Sequence, residues 1–210
     1  MNERLDHEFR AHLELHDKRF FLVIRQHPVM NIPEARPPFE ALVRIVAGQQ
    51  LSVQAAATVF GRLKERLNGE VTVEMIKAVS PDTLRLAGLS GAKTKSILVL
   101  ADFAGPNSRH LQSLLDLPWD ELRATLMTLK GIGPWSVDMF GMFGLGLPDV
   151  FSSGDLGLRV AMQRHLGLAP NAKPEVYQLR AETWKPFRTM ASLHLWHSLK
   201  PDHERFISKI

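Results

Sequence analysis

Apolar residues return every three or four positions along nearly the whole chain of 210 residues, and only one short stretch, "NGEVTVE" at 68–74, alternates as a strand would. A chain patterned this way buries its side chains by packing helices on helices, so the class is all-α. One or two amphipathic helices are predicted over 5–26, followed by the proline-rich connector 28–38. "FEALVRIVAG" is helical to about Gly48. Ser52 is then placed to cap "VQAAATVFGRLKERL", where Ala56, Phe60 and Leu63 share a face. "SPDT" signals a helix start at Ser80, Ser90 caps "GAKTKSILVLADFA", and "WDELRATLMTL" aligns Leu122, Leu126 and Leu129. Further helices are predicted at 73–79, 82–87, 155–166, 174–183 and 186–199.

The pattern breaks most sharply at "LKGIGPW", residues 129–135. Two amphipathic helices joined by so short a turn cannot lie simply antiparallel. Gly131 and Gly133 supply the dihedrals for the reversal and leave the main chain open to an approaching group. Pro134 suits the first position of the next helix. The free amide groups and positive dipole end of that helix, with Lys130 beside them, suit a phosphate held through the backbone without reading a base. The same turn is also what a core plugged by Ile132 looks like.

Composition narrows the chemistry. Zero cysteines exclude disulfides, thiolate nucleophiles, cysteine zinc sites and iron–sulfur clusters. A formal net charge of +4 suits a polyanionic partner and equally an ordinary basic enzyme. No apolar run approaches the roughly 20 residues that span a bilayer, and the charged N-terminus is no secretory signal. No membrane partner is expected, and the default location is cytoplasmic. His12 and His16 lie four apart, but the glutamate of "HLELH" is one place off the zinc-protease pattern and no third ligand is apparent. They read as surface histidines, and His194 and His197 as helix surface or cleft rim. No metal site is expected from side chains.

Leu129, Gly131, Ile132 and Gly133 match the hairpin L-x-G-I/V-G of the helix-hairpin-helix motif. "GIGPW", the aspartate of "DVFSSGDLGLR", "IVAGQQLSVQAAATVFGRL" at 45–63, "GLSGAKTKSI" at 88–97 and "WKPFRTMASLHLW" at 184–196 extend the likeness. From about residue 36 onward the chain resembles the helix-hairpin-helix DNA glycosylase superfamily, and within it the 3-methyladenine DNA glycosylase II branch. That resemblance implies a single glycosylase domain over 1–210 with two helical lobes and a DNA-binding cleft between them. Lobe one is expected at about 36–145, with the hairpin at 129–134, and lobe two at about 1–35 plus 146–210. Longer members carry an extra N-terminal α/β domain; too few residues precede 36 for one, so a compact form is expected.

The resemblance also assigns roles. Asp155 is implied as the catalytic residue, although "SSGDLGLRV" by itself reads as a helix N-cap, and one carboxylate can do both. Trp135 stands where members that also nick the strand place a Schiff-base lysine, which implies a monofunctional enzyme. Trp135 and Trp196 are implied to line the base pocket, where electron-rich rings hold a cationic base. Met139 and Leu156 occupy two other aromatic positions of that pocket, and Asp138 is a lesser pocket candidate. In "GQQLS", Gln50 aligns with the residue that fills the gap left by a flipped base, flanked by Gln49 and Leu51. Lys130, Gly131, Ile132 and Gly133 grip the DNA backbone, and Lys93 is either a further phosphate contact or part of a solvated face. The carbonyls of Met127, Leu129 and Gly131 are implied as a site for Na+ or K+ bridging to phosphate; no other cofactor is expected. The expected partner is double-stranded DNA with alkylated bases, with a monomer as the default. The alternatives are a non-catalytic helix-hairpin-helix DNA-binding module and a glycosylase for other damaged bases, whose neutral leaving groups need an acid that no residue stands out to supply.

Overall fold

In a computed structural model of the protein, which describes residues 2–199, helices follow one another with no strand among the described residues. Helices α1 (Asn2–His16) and α2 (Lys18–Ile24) part at Asp17, whose carboxylate accepts from the Phe20 amide. Helix α3 (Pro38–Gly48) starts on a proline, which lacks only an amide that would have no helical partner there. Ser52, Ser80 and Ser90 cap α4 (Val53–Arg66), α6 (Pro81–Leu86) and α7 (Gly91–Ala104), each accepting from the amide three residues on, as the spacing predicts.

The strand-like stretch at 68–74 leads into the helix predicted at 73–79. Asn68 and Gly69, at φ 55 and 91, turn the chain after α4, and Thr72 caps α5 (Val73–Ala78). Val71 and Val73 are both buried, on either side of that cap, which is why they imitate strand alternation. A short α8 (Arg109–Ser113) precedes α9 (Trp119–Met127), and α10 (Pro134–Met139) runs into a π-helical turn at 140–144. Helix α11 (Leu156–Ala161) does the same at 162–166 before α12 (Pro174–Ala181) and α13 (Arg188–His197). The helix predicted at 155–166 is thus one element with a widened last turn.

Contacts divide the chain into two units. The continuous unit is Ala35–Phe140; the split unit joins the residues up to Glu34 with those from Gly141 onward. Met1 and residues 200–210, which the expected second lobe included, lie outside the described residues. In the continuous unit α3 is central, packing on α4, α7 and α10 with Phe39, Leu42 and Val46 buried alongside Phe60, Leu63, Ile97 and Leu100. Each such side chain contributes about 1.5–3 kcal/mol by leaving water.

In the split unit, Phe9, Leu13, Phe20, Tyr177, Trp184 and Met190 are all fully buried, with Phe20 against both Phe9 and Trp184, and buried carboxylates thread this core. Asp17 accepts from Trp184 Nε1 at 2.8 Å and pairs with Arg180. Asp6 accepts from His194 Nε2 at 2.6 Å and from Arg10 Nε at 2.5 Å. His194 is therefore no surface residue: it has no solvent exposure, and its Nδ1 meets His27 Nδ1 at 3.2 Å. A helix-face pattern places a histidine but not the acid 188 residues away that lets it be buried.

Candidate active site and DNA-contact loops

The hairpin belongs to the continuous unit and is built from both ends. Leu129 N donates to Leu126 O at 3.1 Å as α9 ends, and Ile132 N donates back to Leu129 O at 3.0 Å. Ile132 is 4% exposed, so it does plug the core. Gly131 adopts φ +88, and a β-carbon there would stand 1.9 Å from Ser96 Oγ and 2.8 Å from Ser96 Cβ. No other residue fits. Gly133 has ordinary extended dihedrals, and a β-carbon on it would meet nothing within 4 Å. Ile132 and Gly131 thus face the core, as a plugged turn requires, while Gly133 leaves the main chain open on its outer side. Lys130 is exposed beside them.

The loop after α3 lies in the same unit. Gln50 is exposed with φ 56, and Leu51 is 39% exposed. Gln49 turns inward, its Nε2 donating to Gly131 O at 2.9 Å and to Ser136 Oγ at 2.8 Å. Lys93 Nζ donates to Ala47 O at 2.8 Å, and burial pushes its pKa down. Both residues, assigned to DNA on the sequence, are engaged in holding this loop. Trp135 is half-buried on α10, Met139 is buried, and Asp138 is buried in an ion pair with Arg123 Nε of α9 at 3.0 Å. That pair accounts for an acid in the core of the unit.

In the split unit Asp155 is the N-cap of α11. Its Oδ1 accepts from Leu158 N at 2.8 Å and from Trp196 Nε1 at 2.9 Å, and the two residues are only 8% and 1% exposed. Phe143 lies against the Trp196 indole, ring centres 5.8 Å apart. Gly157 closes the arrangement, since a β-carbon there would come within 3.0 Å of Trp196 Cδ1 and 3.2 Å of Asp155 Oδ1. Leu156, a pocket position by resemblance, is 73% exposed. Two donors on one oxygen hold the carboxylate in one orientation before any substrate arrives. A fixed carboxylate of this kind can stabilise a developing cation or take a proton from water.

Sequence-assigned residues therefore gather into two groups: Asp155 with Trp196, and Gln49 with the hairpin. Gly157, Phe143, Ser96 and Ser136 complete those groups without having been singled out. Only Gly157, two residues from Asp155, gave a local signal. No group of three or more His, Cys, Asp or Glu among the described residues can hold a metal ion. At the hairpin, Leu129 O accepts from Ile132 N and Gly131 O from Gln49 Nε2.

Residues 43–186 match the family described as HhH-GPD superfamily base excision DNA repair protein. The chain is 33% identical over 190 residues to "DNA-3-methyladenine glycosylase 1" of Schizosaccharomyces pombe, covering 87% of this chain and 82% of that one. It is 32% identical over 190 residues to "Probable bifunctional transcriptional activator/DNA repair enzyme AlkA" of Mycobacterium tuberculosis, covering 85% of this chain. It spans 37% of the length of that relative. The solved 3-methyladenine DNA glycosylase of Schizosaccharomyces pombe in complex with abasic DNA superposes with a TM-score of 0.78 at 30% identity, over 93% of this chain and 98% of that one. With the family matched over most of its length, its helical fold shared and its hairpin in place, the chain belongs to the HhH-GPD superfamily of base excision DNA repair proteins.

Proposed function

We propose that the protein is a monofunctional DNA glycosylase that hydrolyses the N-glycosidic bond of alkylated purines in duplex DNA and so starts base excision repair. The observation that carries this reading is the carboxylate of Asp155, buried and aimed by Leu158 N and Trp196 Nε1. The names of the relatives support the substrate class.

An N-alkylated purine carries positive charge, so its bond to C1′ is weakened and the base departs neutral without strong protonation. One carboxylate is then enough. Asp155 stabilises the oxocarbenium-like sugar and orients the water whose oxygen bonds to C1′, taking up the proton that water gives off. Free base and an abasic site are the products. The base is extruded from the duplex, with Gln50 at the exposed loop tip filling the gap and the hairpin main chain holding a phosphate. Na+ or K+ on the carbonyls of Met127, Leu129 and Gly131 would add charge complementarity at that phosphate. Trp135 stands in place of a Schiff-base lysine, so that position carries no amine for strand cleavage. No helix among the described residues is long and apolar enough to cross a membrane.

The test is release of free base from methylated duplex DNA at fixed salt. Asn at 155 still caps α11, so Asp155→Asn should keep its thermal midpoint while base release falls by about a hundred- to a thousandfold. Equal rates for variant and wild type would remove Asp155 from the mechanism.

A further inference from the structure

The loop tip and the hairpin are joined by one side chain. Both protons of the Gln49 amide nitrogen are used, one on Gly131 O at 2.9 Å and one on Ser136 Oγ at 2.8 Å, across 82 and 87 residues of sequence. The backbone on either side is pinned as well. Gln49 N donates to Val46 O at 3.3 Å, Leu51 N to Gly48 O at 3.2 Å, and Lys93 Nζ holds Ala47 O. Between these anchors Gln50 sits at φ 56, a conformation that a residue with a side chain keeps only when its surroundings impose it. At the other end of the tie, Gly131 is backed against Ser96 with no room to shift inward.

We infer that Gln49 is a positioning residue for the reaction proposed above: it ties the exposed tip at Gln50 to the hairpin, so that strand anchoring and filling of the vacated base position act as one rigid element. The inference rests on the glycosylase reading. Without the tie the hairpin still binds the DNA backbone, but the tip enters the stack less often. The loss then falls on base extrusion and leaves DNA affinity in place.

The probe is a duplex with one 7-methylguanine and 2-aminopurine as its 3′ neighbour, followed for single-turnover base release and for the fluorescence rise on extrusion. Affinity for the same duplex carrying an abasic site is measured alongside, at the same salt. Gln49→Glu keeps the size of the side chain, but its carboxylate has no proton to give Gly131 O. Base release and the fluorescence step should slow about five- to tenfold, the worth of a lost hydrogen bond. Affinity for the abasic duplex should stay within a factor of about two in the uncharged Gln49→Met, which removes the same donors without setting a carboxylate beside the phosphate-binding hairpin. Relative to wild type, the defect should shrink as pH is lowered and the introduced acid takes up a proton that it can donate; general loosening of the fold would not recover in acid. Ser136→Ala removes one acceptor, and combined with Gln49→Glu it should cost less than the sum of the two.

Wild-type base release with an unimpaired Gln49→Glu overturns the tie alone. So does a defect that is constant with pH and additive with Ser136→Ala. A wild-type protein that releases no base overturns the glycosylase reading and takes the tie with it.

Discussion

In the split unit, buried carboxylates reach partners far along the chain: Asp6 to His194, Asp17 to Trp184, Asp155 to Trp196. In the continuous unit the side chains that start helices bond three residues on: Ser52 to Ala55, Thr72 to Met75, Ser80 to Thr83, Ser90 to Lys93. A cap of the second kind fixes one helix end and, once lost, leaves amides that water can reach. A carboxylate of the first kind fixes where two distant segments meet, and its loss strands a partner in the core. Asp155 belongs to both classes, capping α11 locally and receiving the Trp196 indole from α13.

The largest expected break in this contrast is Asp6→Ala, which leaves His194 and Arg10 without their acid. Urea unfolding should show a loss of about 3–5 kcal/mol. A cost no greater than that of removing a serine cap would dissolve the distinction.

Acid sharpens the contrast by acting on the same cluster. Burial lowers the pKa of His194 below its ordinary 6.5, against the opposing pull of Asp6. Its neutral form therefore stabilises the fold fully above 6.5, and that stability is lost as pH falls and the unfolded chain binds the extra proton. Burial by itself pushes the Asp6 carboxyl up, but hydrogen bonds from His194 and Arg10 outweigh it and hold the group below its ordinary 3.8. Its contribution is present above 3.8 and is lost further into acid. Stability from denaturant unfolding should be level from pH 8 to 6.5 and then fall by about 1.4 kcal/mol per pH unit while one proton is being taken up. A flat profile down to pH 5 would contradict the buried neutral imidazole. The smallest effect is that of Ser90→Ala, about 1 kcal/mol by the same assay with no change in pH dependence.

The contrast also explains what could be read beforehand. The caps at Ser52, Ser80 and Ser90, the break at Gly131 and Gly133 and the cap at Asp155 depend on neighbours within a turn, so spacing reveals them. The helix after Thr72 is legible from its spacing but its cap is not, because Val71 and Val73 both face the core and two valines astride a cap look like a strand. The helix face of His194 reads as surface or rim because its partner lies at the other end of the chain. Gln49 reads as a flank of the gap-filling residue and Lys93 as a phosphate contact or a solvated lysine, because spacing does not show that a carbonyl of a distant segment lies within reach. Trp196 reads as a pocket ring, and the bond of its indole nitrogen to the carboxylate of Asp155 spans 41 residues that no local spacing connects.

The unlike surroundings of the two hairpin glycines separate two demands that a G-x-G pattern merges. The first serves the protein's own architecture, because any bulk at Gly131 strikes Ser96. The second serves a visitor: an alanine at 133 would fold comfortably yet plant a methyl group where, on the proposed reading, a nucleic-acid backbone comes to rest. Damage at one position registers as an unfolded protein, and damage at the other as a well-folded protein that has lost its hold on DNA.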